Sequence, residues 1–146
     1  MKIKMMLAPD DPLRIELEKL GVVDDPEAKY SLLKEDYEVG YVQGRIGEQQ
    51  FFVDVKEIVF IESLGHNILI HTQNETYNSR ENLKYFETVL DPQKFLRISN
   101  SCIICRKKIR RIESSLLQKF ILHMSEGTKV EVTRSYYYRF KEVFRI

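Results

Sequence analysis

The chain has no tryptophan, two cysteines and four prolines, and its apolar runs stop after a few residues. Each scarcity removes a class of protein. Two cysteines cannot staple a small secreted scaffold, which relies on several bridges in place of a large core. Runs this short exclude a membrane-spanning helix, for which about 20 consecutive apolar residues are needed. Met1-Lys2-Ile3-Lys4-Met5-Met6-Leu7 is basic and apolar but meets Asp10-Asp11 at once. That is far short of a secretory signal core, so a cytoplasmic protein is expected.

The usual signatures of catalysis are missing as well. There is no glycine-rich phosphate loop, no H-E-x-x-H and no G-x-S-x-G. Cys102-Ile103-Ile104-Cys105 is a C-x-x-C, but a structural zinc site wants four ligands and no second C-x-x-C follows. The redox version of this motif opens a helix after a strand in a βαβ unit, a pattern absent here. Buried free thiols are the expectation. A redox pair of Cys102 and Cys105 is the alternative, because Arg106-Lys107-Lys108 beside them would lower a thiol pKa. No metal, cofactor, small-molecule substrate or enzymatic activity is expected.

What is present begins with an apolar share of 43%, enough for a core in one domain with a short extension. The net charge of +1 conceals an asymmetry: residues 1–46 hold 7 Lys/Arg against 10 Asp/Glu, and residues 47–146 hold 16 against 12. Between Asp91 and Glu113 there is no acidic residue, while Lys94, Arg97, Arg106, Lys107, Lys108, Arg110 and Arg111 all fall there. Phosphates are met by a face and not by an average, so this run is a candidate DNA-contacting surface; a solvated helix or loop is the plainer reading.

The first 36 residues read as mostly helical. Asp11-Pro12 supplies an N-cap and a first-turn proline, Leu13, Leu17 and Leu20 recur on neighbouring turns, and Gly21 stops the run. Asp25-Pro26 opens a second short helix towards Leu33. From Tyr37 the apolar period changes to two, the spacing of strands. Tyr37 to Val42 and Gln50 to Val53 flank a turn around Gly44 to Gly47, and Ile58 to Ile61 and Asn67 to Thr72 flank Gly65. A short strand at Thr76 to Asn78 precedes an amphipathic helix capped by Ser79, with Leu83, Phe86 and Leu90 inward and Asp91-Pro92 at its end. Further strands are expected over 109–113, 119–124 and 129–133, with a turn at Ser125-Glu126-Gly127 and a C-terminal helix over 136–144. The fold class is mainly β with short helices.

Three apolar runs end alike. Ile61-Glu62-Ser63-Leu64-Gly65-His66-Asn67 delivers His66 to a strand end, Phe95-Leu96-Arg97-Ile98-Ser99-Asn100-Ser101 delivers Asn100, and Val130-Glu131-Val132-Thr133-Arg134-Ser135-Tyr136 delivers Arg134. These planar groups can read base edges: Arg on guanine O6/N7, Asn on adenine N6/N7, His on purine acceptors. Singly, each has a plainer role. His66 can be a turn residue, Asn100 a helix cap or Asx-turn, and Arg134 a partner of Glu131 or a cap for the last helix. His71 and His123, inside apolar strands, and the three tyrosines 136–138 read as packing residues. Taken together with the basic run, the three strand ends make DNA binding the leading reading.

From about Gln50 to Ile146 the chain resembles the LytTR DNA-binding domain of bacterial transcription regulators. The matching motifs are Ile58-Val59-Phe60-Ile61-Glu62-Ser63 with Gly65-His66, then Ile70-His71-Thr72, Asn82-Leu83-Lys84-Tyr85-Phe86-Glu87, and the segments ending at Ser101 and Tyr136. They stand in family order and cover about two thirds of the chain. The resemblance implies small antiparallel sheets stacked with an amphipathic helix and a C-terminal helix over 45–146, preceded by a helical N-terminal extension, 1–44. It implies loops that enter successive major grooves, with His66, Asn100 and Arg134 reading bases and Asn67, Ser101 and Ser135 on phosphates beside them. Arg106, Lys107 and Lys108 add further phosphate contacts. It also implies a homodimer on paired direct repeats of double-stranded DNA.

Two departures from the family pattern stand out. About 45 residues cannot build the doubly wound receiver that commonly accompanies this domain, so control by an own phosphorylated aspartate is not expected. Stand-alone members resemble regulators restrained by a membrane-protein partner. Cys105 stands where the family usually places an asparagine. The rival reading is a β-domain protein-interaction module whose basic edge binds an acidic partner.

Overall fold

The computed structural model describes residues 1–33 and 39–146. The chain forms two compact units, Met1–Tyr37 and Glu38–Ile146.

In the first unit β1 (Lys2–Met6) is the middle strand of a parallel sheet, between β2 (Val23–Asp24) and β3 (Ser31–Leu33). Parallel pairing of β1 with β2 needs a crossover, and α1 (Pro12–Lys19) supplies it. Asp11 caps α1 as expected, its Oδ1 accepting from the Leu13 N–H at 2.9 Å, and Pro12 opens the helix. The mostly helical expectation is otherwise corrected. Asp25-Pro26 leads into β3 and not into a second helix, because β1 offers an open edge to pair with. The Leu13/Leu17/Leu20 stripe is not core: Leu13 and Leu20 are exposed and Leu17 is half-buried. Arg14 instead reaches the sheet, bonding Asp24 at 2.7 Å and the Met5 and Leu7 carbonyls at 3.2 and 2.8 Å. The Met5 N–H and then Arg14 hold the Asp24 carboxyl below its ordinary pKa.

The second unit opens with the hairpin β4 (Tyr41–Ile46) and β5 (Gln49–Asp54), followed by β6 (Ile58–Leu64), β7 (Asn67–Thr72) and β8 (Thr76–Ser79). After α2 (Leu83–Val89) come β9 (Phe95–Ser99) and β10 (Cys102–Cys105). These strands form one antiparallel sheet in the order β5-β4-β8-β7-β6-β10-β9. A second sheet, β11 (Ile109–Ser115), β12 (Lys119–Met124) and β13 (Lys129–Val132), precedes α3 (Tyr137–Phe144). The unit boundary moves to 37/38 from the expected 44/45, since a break there would cut β4, which pairs with β5 along its whole length. Tyr37 and Glu38, the expected start of the first strand, lie outside the described residues.

Two local readings are also corrected. Gly44 lies inside β4 opposite Phe51, and the turn is at Gly47. A Cβ on Gly44 would meet the Tyr77 Cβ at 2.7 Å, so a bare backbone is what lets β8 close on β4. Asn82, not Ser79, caps α2, its Oδ1 accepting from the Tyr85 N–H at 2.8 Å; Ser79 ends β8.

Two apolar cores lie on opposite faces of the large sheet. One packs Ile58, Ile61, Ile70 and Ile103 against Leu83, Phe86 and Val89 of α2. The other packs Phe60, Leu96, Ile98 and Ile104 against Phe120, Leu122 and Val132 of the small sheet and Phe140 of α3. β10 alternates between them, Cys102 and Ile104 in the second, Ile103 and Cys105 in the first. That double burial is why its sequence is a continuous apolar run with no polar face.

Candidate nucleic-acid interface

β6 and β9 both run antiparallel to β10, so the ends of β6 and β9 and the start of β10 share one edge of the sheet. The Ser63 N–H donates to the Ser101 carbonyl at 2.8 Å, tying the His66 turn to the Asn100 turn. On the other side, pairing steps from Ser99↔Cys102 to Arg97↔Ile103 and leaves Ile98 as a bulge. Its carbonyl, freed from the ladder, accepts from the Thr133 N–H at 3.1 Å and so anchors the segment that carries Arg134. Three strand ends far apart in sequence are thereby fastened side by side. His66, Asn100 and Arg134 are all exposed there, as are Asn67, Ser101 and Ser135.

Each loop is short and locally determined. Leu64↔Asn67 pairing leaves Gly65-His66 as a two-residue turn, and Gly65 takes φ +61° at its first position. This suits a II′ hairpin, whose twist matches the flanking strands. Ser99↔Cys102 pairing likewise leaves Asn100-Ser101, with Ser99 Oγ accepting from the Ser101 N–H at 3.1 Å. The Asn100 side chain is therefore not spent on an Asx-turn; its Oδ1 accepts from the Tyr136 hydroxyl at 3.3 Å. Arg134 opens a 3₁₀ turn, Arg134–Tyr136, closed by the Tyr136 N–H on the Thr133 carbonyl at 2.9 Å. Glu131 pairs with Lys119 at 2.9 Å and not with Arg134.

Sequence reasoning missed the residues that brace the Asn100 turn. Arg97 donates from Nε to the Ser99 carbonyl at 2.7 Å, from Nη2 to the Asn100 carbonyl at 2.6 Å, and from Nη1 to Glu87 of α2. The available signal was a lone charge in a strand whose other residues, Phe95, Leu96, Ile98 and Ser99, are all buried. Tyr136 packs on the second core and also reaches Asn100. Tyr137 stacks on Phe120 at 4.9 Å, while Tyr138 is exposed and its hydroxyl accepts from Gln118.

Arg106, Lys107 and Lys108 form a 3₁₀ turn at the opposite end of β10 from Asn100. Four residues of strand separate the two, about 13 Å at 3.3 Å per residue. The Arg106 guanidinium donates to the Gln93 carbonyl at 3.0 Å and lies 5.2 Å from the Phe144 ring centre; Lys107 is exposed. The cysteines are free and buried, one in each core. Three residues apart on a strand, they point to opposite faces, so a disulfide between them would require the sheet to part. Burial, and then Glu62, pushes the Cys102 thiol up to about 12. His71 sits between Glu62 (2.9 Å) and Thr76 (3.1 Å), stacked on Phe60. Among the described residues no His/Cys/Asp/Glu cluster could hold a metal, and no helix is long and apolar enough to cross a membrane.

The fold matches a solved LytTr DNA-binding domain from Bacillus cereus with a TM-score of 0.71 at 21% identity, over 74% of this chain and 99% of that one. The sensory transduction protein LytT of Bacillus cereus is 30% identical over 101 residues, 69% of this chain but 41% of that relative's length. The transcriptional regulatory protein LytR of Staphylococcus aureus is 35% identical over 72 residues, 49% of this chain and 29% of the relative. The LytTr DNA-binding domain family, a family of DNA binders and not of enzymes, matches residues 48–145, and to that family the chain belongs.

Proposed function

We propose that the chain is a sequence-specific transcription regulator of double-stranded DNA, with His66, Asn100 and Arg134 reading bases and Asn67, Ser101 and Ser135 holding the adjacent phosphates. The observation that carries this reading is the shared edge: three exposed planar side chains on short turns that are hydrogen-bonded to one another. A base contact tolerates only about half an ångström of misplacement, and braced two-residue turns meet that demand better than long loops. Arg106, Lys107 and Lys108 contribute attraction that does not depend on sequence. Two copies bind paired direct repeats in the cytoplasm, each entering successive major grooves, and a membrane-protein partner restrains them.

Selection of bound sequences from a random duplex library tests this. The expected result is an enriched motif that recurs in direct orientation, with two copies of the chain per duplex. A library that emerges unenriched, while affinity still falls steeply with salt, would leave a non-specific binder. A single motif with one copy bound would remove the dimer.

A further inference from the structure

We propose that Tyr136 and Arg97 are positioning residues for Asn100, Tyr136 setting its side chain and Arg97 its backbone, so that Asn100 meets the DNA with its amide in a single orientation. The proposal rests on Asn100 being a base reader and goes beyond it by assigning the orientation of the amide. An isolated asparagine on an exposed turn can swing about χ1 and flip its amide, presenting either the carbonyl or the NH₂. Here the Tyr136 hydroxyl donates to Oδ1 at 3.3 Å, which fixes the amide atom that faces the tyrosine. The Tyr136 ring is itself held by packing against the second core, and its backbone is closed on Thr133. The tyrosine is therefore an anchored arm and not a second floating group.

Arg97 acts on the other half of the residue. Its side chain is only 17% exposed. Two of its edges bind the Ser99 and Asn100 carbonyls, and a third is fixed by Glu87 of α2. A rigid fork that spans two consecutive carbonyls defines the turn in a way a lysine cannot, because an ammonium is a point charge without that planar geometry. The turn is thus tied to α2 through Arg97 and to the Arg134 segment through Tyr136. The consequence for recognition is specific. One lone pair of Oδ1 is taken by Tyr136, and the other, together with Nδ2, remains for the two-pronged contact to adenine, which a flipped amide could not make in the same place.

The test is a double-mutant cycle on the full chain, with wild type, Asn100→Ala, Tyr136→Phe, Arg97→Lys and the double variant Asn100→Ala/Tyr136→Phe. Each is titrated with the selected duplex, with duplexes changed at the base pair Asn100 faces, and with a scrambled duplex, after thermal melts confirm folding. Tyr136→Phe keeps the ring and removes one hydrogen bond. It is expected to lose about three- to tenfold in discrimination at that base pair, with unchanged affinity for scrambled DNA. Arg97→Lys is expected to lose discrimination at the same base pair. In the Asn100→Ala background the Tyr136→Phe effect should vanish.

Wild-type discrimination in either variant, with Asn100→Ala impaired, removes that residue from the proposal and leaves the base-reading role intact. Equal losses on selected and scrambled duplexes mark a merely structural role and overturn the proposal. If Asn100→Ala itself discriminates like wild type, Asn100 reads nothing, and the proposal falls together with the reading it rests on.

Discussion

The two ends of β10 are three residues apart and differ in almost every respect. At the Cys102 end, three turns from distant parts of the chain are fastened by backbone bonds, and the side chains left over are exposed, planar and short of partners on one side. At the Cys105 end the chain is far richer in positive charge, yet part of it is engaged: the Arg106 guanidinium serves the Gln93 carbonyl and the Phe144 ring, and Arg110 donates to the Ser125 carbonyl at 3.4 Å. Charge density marks where phosphates are attracted. Convergence of braced turns is what base reading requires, and on the proposed function the two do not coincide.

That contrast can be broken from either side. The largest effect is expected from removing two readers together. Arg134→Ala with His66→Ala should cost about 2–6 kcal/mol on the selected duplex, if two contacts of about 1–3 kcal/mol each add, and should leave only sequence-independent binding. Isothermal titration against selected and scrambled duplexes checks it, and a loss shared equally by both would place the readers elsewhere.

Gly65→Ala comes next. The position takes φ +61°, which costs an L-residue about 1–3 kcal/mol, while no neighbour lies within 4 Å of the added Cβ. A lower melting temperature should therefore accompany weakened discrimination at the base pair His66 faces. Stability lost with discrimination intact would mean that the turn's shape is irrelevant to reading.

Lys107→Ala probes the other end of β10. Its effect should be the same factor on every duplex, with the slope of log affinity against log salt reduced by about 0.9. A sequence-dependent change would contradict the division of labour. The smallest effect is expected at the thiols, since Cys102 is pushed up to about 12 by burial and each cysteine faces a different core. Peroxide should leave affinity for the selected duplex unchanged at matched salt, and a loss reversed by reductant would show that a buried thiol becomes accessible.

Much of the β unit is legible in the sequence because its physics is local. Strand alternation, the Gly65 hairpin and the inward face of α2 all follow from spacings within a few residues. His66, Asn100 and Arg134 are legible as strand-end residues for the same reason. In the N-terminal unit the sequence shows α1 and its Asp11 cap but not the strand after Asp25-Pro26 or the exposure of Leu13 and Leu20, because these are decided by parallel pairing with β1, a non-local event. Gly44 reads as part of a turn because, in sequence, a glycine needed for close strand approach resembles one needed for a positive φ. Arg97 belongs to the basic run in sequence, and only the register of β9 against β10 separates its place from that of Lys107.

The central claim, that reading and attraction sit at opposite ends of β10, is tested most directly by the ratio of selected-to-scrambled affinity for Arg134→Ala and Lys107→Ala, measured side by side over a salt series. Arg134→Ala is predicted to collapse the ratio by about 5- to 150-fold at every salt concentration. Lys107→Ala is predicted to keep the wild-type ratio while weakening both arms. A ratio that survives Arg134→Ala, or one that collapses in Lys107→Ala, would contradict the account.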